Sequence, residues 1–192
     1  MKTRKRIILV LVAVLLLFTS LLIYSERDLF SKNPMVAFSR MVEQGYIDSL
    51  TLTIYYVRAA VYFGTAGDAD DLLRGWSGFS DDDAEKVVVK GSQLKEHIDL
   101  LQRMSNTELV PVPIENPSRI NVKIYYVFKT IWGQKVLDIA MWGYNGSVFI
   151  NDVEFEKNTI YYEMMVPFLS EAAAQEVRRE ITIEEKRRNY VD

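Results

Sequence analysis

The chain has 192 residues, no cysteine and one histidine, His97. Without cysteine there are no disulfides, thiol nucleophiles or thiolate metal ligands. A single histidine leaves little from which to build a serine- or cysteine-based hydrolytic system. Zinc sites draw on several His and Cys ligands, so zinc is not expected, nor is any other cofactor. His97 falls within a helical pattern beside the apolar stripe, the ordinary place for a packing or surface residue. Phosphate-cradling glycine loops are also missing. So is the G-x-S-x-G elbow, since Gly75-Trp76-Ser77-Gly78 brings its second glycine one place early.

Positive charge is scarce as well. The net charge is −3 and the first 25 residues contribute +4, which leaves −7 for the remainder. A chain so balanced is not expected to bind nucleic acid, which requires clustered positive charge.

The first thirty residues supply what the rest lacks, a long apolar run. Residues 7–23 carry no charge and no helix breaker. As a helix they span roughly 26 Å, close to the hydrocarbon thickness of a bilayer once Tyr24 and the flanking basic groups are counted. Lys2, Arg4, Lys5 and Arg6 precede the run. The segment from Tyr24 to Phe38 holds only Arg27 and Lys32, offset by Glu26 and Asp28. The positive-inside bias then places the N-terminus in the cytoplasm and the rest of the chain outside. The alternative is a cleaved secretory signal that releases a soluble domain. It fits less well, because the run is long and no small-residue cleavage site follows it closely. Residues 1–6 are therefore expected to be a cytoplasmic basic segment and 7–24 a single-pass transmembrane anchor in contact with lipid. Residues 25–45 should form a juxtamembrane connector helix, and 46–192 an extracytoplasmic domain. An external domain without disulfides must rely on its apolar core, a habit more usual at a bacterial cell surface. The layout is similar to that of small single-span proteins of Gram-positive bacteria, a likeness of architecture without a diagnostic motif. It implies a cell-envelope location.

Beyond the anchor, Asn33-Pro34 and Gly45 bracket a short amphipathic helix. Leu50 to Val57 alternates as a strand, and residues 58–86 read as an irregular acidic excursion with one short helix near Asp70 to Arg74. Val87 to Val89 is a short strand, and Ser92 is placed to cap a helix with Leu94, Ile98, Leu101 and Met104 on one stripe. Further strands follow at 120–128, 135–142, 148–150 and 153–155. Trp132-Gly133 is a turn before the strand at 135–142, and Asn145-Gly146 and Asn151-Asp152 are the tight turns after it. The segment from Asn158 onward is helical with a break at Pro167, and Ser170 caps the last helix. This order predicts an α+β fold with a mainly antiparallel sheet packed against helices.

Ser92-Gln93-Leu94-Lys95 resembles the S-x-x-K element of penicillin-binding proteins and β-lactamases, in which a lysine one turn later activates the serine. The resemblance covers four residues, and no S-D-N or K-T-G equivalent accompanies it. It implies chemistry at Ser92, and the alternative function is a cell-envelope hydrolase using either Ser92 or a carboxylate. The aspartates at 68–71 and 81–83 lack the glycine and glutamate of a calcium loop and read as solvated charge.

The most suggestive pattern is aromatic. Alternation sends Tyr56 and Tyr126 to the strongly apolar face of the sheet. Tyr55 and Tyr125 then go to the other face with Val57 and Val127, and Asp138, Ala140 and Trp142 are expected to join them. A face carrying Tyr55, Tyr125 and Trp142 suits an envelope protein or wall polymer. The competing expectation is that the C-terminal helices bury this face. The leading reading is a non-enzymatic, membrane-tethered binding or interaction module.

Overall fold

The computed structural model describes residues 34–61, 67–112, 122–142 and 147–188. Six strands form one antiparallel sheet: β1 (Leu50–Val57), β2 (Ala84–Lys90), β3 (Val122–Thr130), β4 (Lys135–Trp142), β5 (Val148–Ile150) and β6 (Val153–Phe155). Their spatial order is β2-β1-β3-β4-β5-β6. The last four strands form a meander, and β1 and β2 are added to its β3 side. Among the described residues there are six α-helices: α1 (Pro34–Glu43), α2 (Ala69–Gly75), α3 (Gly91–Lys95), α4 (Ile98–Ser105), α5 (Ile160–Glu163) and α6 (Glu171–Arg188). The expected α+β class and antiparallel sheet are thus observed. Among the described residues no helix is long and apolar enough to cross a membrane. The expected anchor, residues 7–24, lies outside them, as does the Asn145-Gly146 turn.

The main core lies on the face where alternation placed it. Leu50, Leu52, Ile54 and Tyr56 of β1 are buried there against Ile124, Tyr126 and Phe128 of β3 and Leu137, Ile139 and Met141 of β4. Helices α1, α4, α5 and α6 cover them, contributing Phe38, Leu101, Met104, Tyr161, Tyr162, Ala173 and Val177. Helix α1 is therefore part of the domain core, with the Phe38 ring 4.6 Å from that of Phe128. It ends as its composition dictates, with Gly45 in the left-handed region at φ +75°. The β5–β6 turn also has the backbone that its residues favour. Asn151 and Asp152 both take positive φ, 45° and 66°, as a tight hairpin turn requires.

Two details depart from expectation. β2 runs from Ala84, three residues earlier than the Val87 start that its valines suggested, because it pairs with β1 along its full length. The segment after β2 forms two helices separated at Glu96 and His97, and Lys90 stands at the N-cap in place of Ser92. The Lys90 amide donates to Gln93 Oε1 at 3.1 Å.

Tyr161 carries a consequence for alkaline stability. It is 1% exposed, and its hydroxyl is buried with no hydrogen-bond partner. Burial pushes that hydroxyl up to about 12. A pKa raised in the folded state contributes stability that is fully present below the unfolded value near 10 and is lost as pH climbs to about 12. The shift of about two units corresponds to roughly 3 kcal/mol. Tyr161→Phe is expected to remove an unsatisfied polar group, raise stability at neutral pH by about 1 kcal/mol and lessen the alkaline loss. Denaturant titrations at neutral and alkaline pH check both effects, and a neutral-pH loss in the variant would contradict the orphaned hydroxyl.

Candidate interaction surface

The second face of the sheet divides into two halves. Strand register sets residues side by side across it in rows. One row runs Lys86, Tyr55, Tyr125, Ala140; the next runs Val88, Thr53, Val127, Asp138. The last, at the end of the sheet, runs Lys90, Thr51, Lys129, Lys135.

The half around Tyr55 and Tyr125 is covered. Leu72 and Leu73 of α2, with Trp76 and Phe79 just after it, pack over Val57, Ala84, Val122, Tyr125 and Val127 as a second, smaller core. Trp76 meets Tyr55 edge-on at 4.9 Å, and Tyr55 lies 6.1 Å from Tyr125. The expectation that the C-terminal helices would bury this face is therefore corrected. Those helices take the opposite face, and the cover comes from the acidic excursion. The physical reason is composition. Leu72, Leu73, Trp76 and Phe79 give that excursion an apolar side, and its aspartates act locally. Asp68 accepts the Asp71 amide at 2.8 Å while Asp71 accepts the Asp68 amide, a reciprocal cap. The Arg74 guanidinium beside Asp71 holds that carboxyl below its ordinary pKa.

Under this cover, Tyr125 is 7% exposed and donates its hydroxyl to Asp138 Oδ2 at 3.0 Å. Lys135 Nζ donates to the same oxygen at 2.8 Å, and the Asn151 side chain accepts the Asp138 amide. Burial, reinforced by the Asp138 carboxylate, pushes the Tyr125 hydroxyl well above its ordinary pKa. Of the predicted surface residues, then, Tyr55 and Tyr125 do come together, Tyr125 buried and Tyr55 half-buried beside the covering excursion. Trp142 is paired through its backbone with Val122, and its side chain lies outside the description.

The other half of the face is open. Lys90, Lys129 and Lys135 are exposed, as is Val88. Immediately beyond this row the β3–β4 hairpin carries Ile131 and Trp132, which are 63% and 84% exposed. The tip is a fixed structure. Gly133 donates to the Thr130 carbonyl at 2.8 Å, and Ile131 donates to the Ser49 carbonyl at 2.9 Å. That second bond ties the tip to the 3-10 turn Tyr46–Ser49, whose Tyr46 is 57% exposed. Sequence reading marked Trp132-Gly133 only as a turn. Lys90 and Lys129 are in phase with the second face, but Lys135 joins them only through the irregularity that pairs it with Lys129, and the meeting of the three in one row depends on pairings between distant segments.

The constellations that could carry chemistry are otherwise engaged. Lys95 pairs with Asp48 at 3.0 Å, so the lysine of the S-x-x-K element serves a different partner from Ser92. The His97 ring stands edge-on to Phe168 at 5.0 Å. Among the described residues no group of three or more acidic, histidine or cysteine side chains could hold a metal ion. A shallow groove of about 490 Å³ between α4, α5 and α6 has an apolar floor of Leu100, Val166, Pro167 and Ile181. No family model, no curated protein and no solved structure matches this chain.

Proposed function

We propose that the protein is a non-enzymatic interaction module of the cell envelope, tethered to the cytoplasmic membrane by residues 7–24 with its α+β domain on the extracytoplasmic side. The apolar run and the charge asymmetry around it support the tether. The observation that carries the interaction reading is Trp132. A large aromatic side chain 84% exposed at a hydrogen-bonded hairpin tip, beside exposed Ile131 and Tyr46, buries apolar area only when something binds it. The envelope-hydrolase reading through Ser92 is weakened because Lys95 is bonded to Asp48. The released-domain reading differs in one measurable respect, whether the mature chain still begins before Tyr24.

Photo-crosslinking in intact cells tests the proposal. A photoreactive amino acid at position 132 is expected to capture a component other than this chain. The same group at position 125 should link within the chain to residues 69–79. Capture of residues 69–79 from position 132, or of no component at all, would overturn the assignment of the tip as a contact surface.

A further inference from the structure

We infer that the open half of the second sheet face is a docking surface for the anionic lipid headgroups of the membrane to which the chain is tethered, with Ile131 and Trp132 seated at the headgroup level. This names the partner of the surface proposed above and rests on the tethered reading for where the chain sits.

The argument begins with charge. The portion after residue 25 carries −7, so an anionic bilayer repels it as a whole. Against that background Lys90, Lys129 and Lys135 fall in one row across β2, β1, β3 and β4, with Thr51 between the first two. Neighbouring strands lie about 4.8 Å apart, so the row places a cation roughly every 5–10 Å along the end of the sheet. Lys95 lies close by, through its bond to Asp48 of the 3-10 turn that holds the hairpin tip. Acidic groups also lie near this set, including Asp152 of the β5–β6 turn, whose charge reaches the Tyr125 hydroxyl beside Asp138. Asp138 is buried and bonded to Lys135, and Asp48 is bonded to Lys95. Lys90 and Lys129 make no ion pair among the described residues. Lys95 and Lys135 are offset by Asp48 and Asp138, so the positive charge at this end of the face comes from Lys90 and Lys129, on an otherwise acidic domain.

Shape decides between a bilayer and a soluble polyanion. A linear polymer requires only the cations. Here an apolar pair, Ile131 and Trp132, projects beyond them, between Lys129 and Lys135 in the chain. Tryptophan at headgroup level, with lysine ammonium groups reaching phosphates beside it, is the arrangement that a bilayer interface accepts. The tether bounds how far the domain can stand from the bilayer. Residues 25–33 separate the expected anchor from α1, and nine residues can span at most about 30–32 Å. The domain then lies with its open sheet end on the membrane and the helices of the opposite face directed outward.

The test uses the full chain in lipid nanodiscs. Because the chain lacks cysteine, Gln134→Cys gives a single attachment point for a polarity-sensitive fluorophore at the exposed tip, leaving Ile131 and Trp132 in place. A blue shift is expected in discs containing phosphatidylglycerol. It should be absent in pure phosphatidylcholine discs and abolished by high salt. Each lysine near an anionic surface contributes about a fivefold factor, so Lys90→Gln with Lys129→Gln should lower the docked-to-undocked ratio roughly 25-fold. Trp132→Ala should also reduce it. A probe indifferent to lipid charge, or a double variant that docks unchanged, would overturn the inference. So would a shift produced in phosphatidylcholine discs by added soluble polyphosphate, because that would assign the face to a polymer. Retention of the chain on the discs in high salt reads the tether separately. Loss of docking with retention defeats this inference alone, and loss of retention defeats the tethered reading.

Discussion

Phe38→Ala should cost about 3–5 kcal/mol, a large part of the 5–15 kcal/mol typical of a domain this size. Phe38 is fully buried, and its ring lies tilted against Phe128 on the central strand pair. The alanine variant loses the transfer energy of the ring, the aromatic contact and the packing around the space left behind. Little can collapse into that space. Met35 and Val42 on the same helix are already buried, and the sheet beneath is fixed on both sides by hydrogen-bonded neighbours. Phe38→Leu should recover more than half of the loss. Thermal or denaturant unfolding of the full chain measures both, and near-normal stability in the alanine variant would show that α1 is not built into the core.

Gly91→Ala is the second large effect, and its origin is different. Gly91 opens α3 where that helix passes the 3-10 turn Tyr46–Ser49. A Cβ at position 91 would lie 2.3 Å from the Ile47 carbonyl oxygen and 2.6 Å from the Asp48 Cα, both backbone atoms. Neither can swing aside as a side chain does, so the turn or the helix must shift. Overpacking of this kind costs about 1–3 kcal/mol and can exceed it where backbone must move. The displaced turn is the one that accepts the Ile131 amide, so the variant should also loosen the hairpin tip. A combined loss of stability and of contact by residue 132 is the expected signature. Stability lost with contact preserved would separate the turn from the tip.

Most of the secondary structure was legible because local patterns settled it. Leu50 to Val57 and the residues after Ile120 alternate at period two, and Gly45 and Asn151-Asp152 demand their turns. The split at His97 was not legible, since Leu94, Ile98, Leu101 and Met104 fit one continuous helix equally well. The cap at Ser92 was misplaced for the same reason. The fate of the second face was hidden for a physical reason. Tyr55 and Tyr125 were placed correctly, but what covers a face depends on contacts between segments far apart in sequence. Residues 68–83 look solvated if their aspartates are counted, yet Leu72, Leu73, Trp76 and Phe79 provide the apolar side that closes over the tyrosines. The lysine row was invisible for a related reason. Each lysine is unremarkable within its own strand, and the row exists only once β1 is known to lie between β2 and β3.

The position of β1 in the sheet also bears on how the chain is made. β1 is complete at Val57, but its central partner β3 ends at Thr130. At synthesis rates of about 5–20 residues per second, the first strand waits on the order of 4–15 s for the segment that sandwiches it. During that interval Leu50 to Val57 is an uncharged, β-branched and aromatic stretch, the composition most prone to pair with copies of itself. β2 reaches it sooner and carries Lys86 and Lys90, whose charges discourage further strands from adding to the growing edge. One of the two guards of the earliest two-stranded unit, Lys90, thus belongs to the very row that the finished domain displays at the end of its sheet.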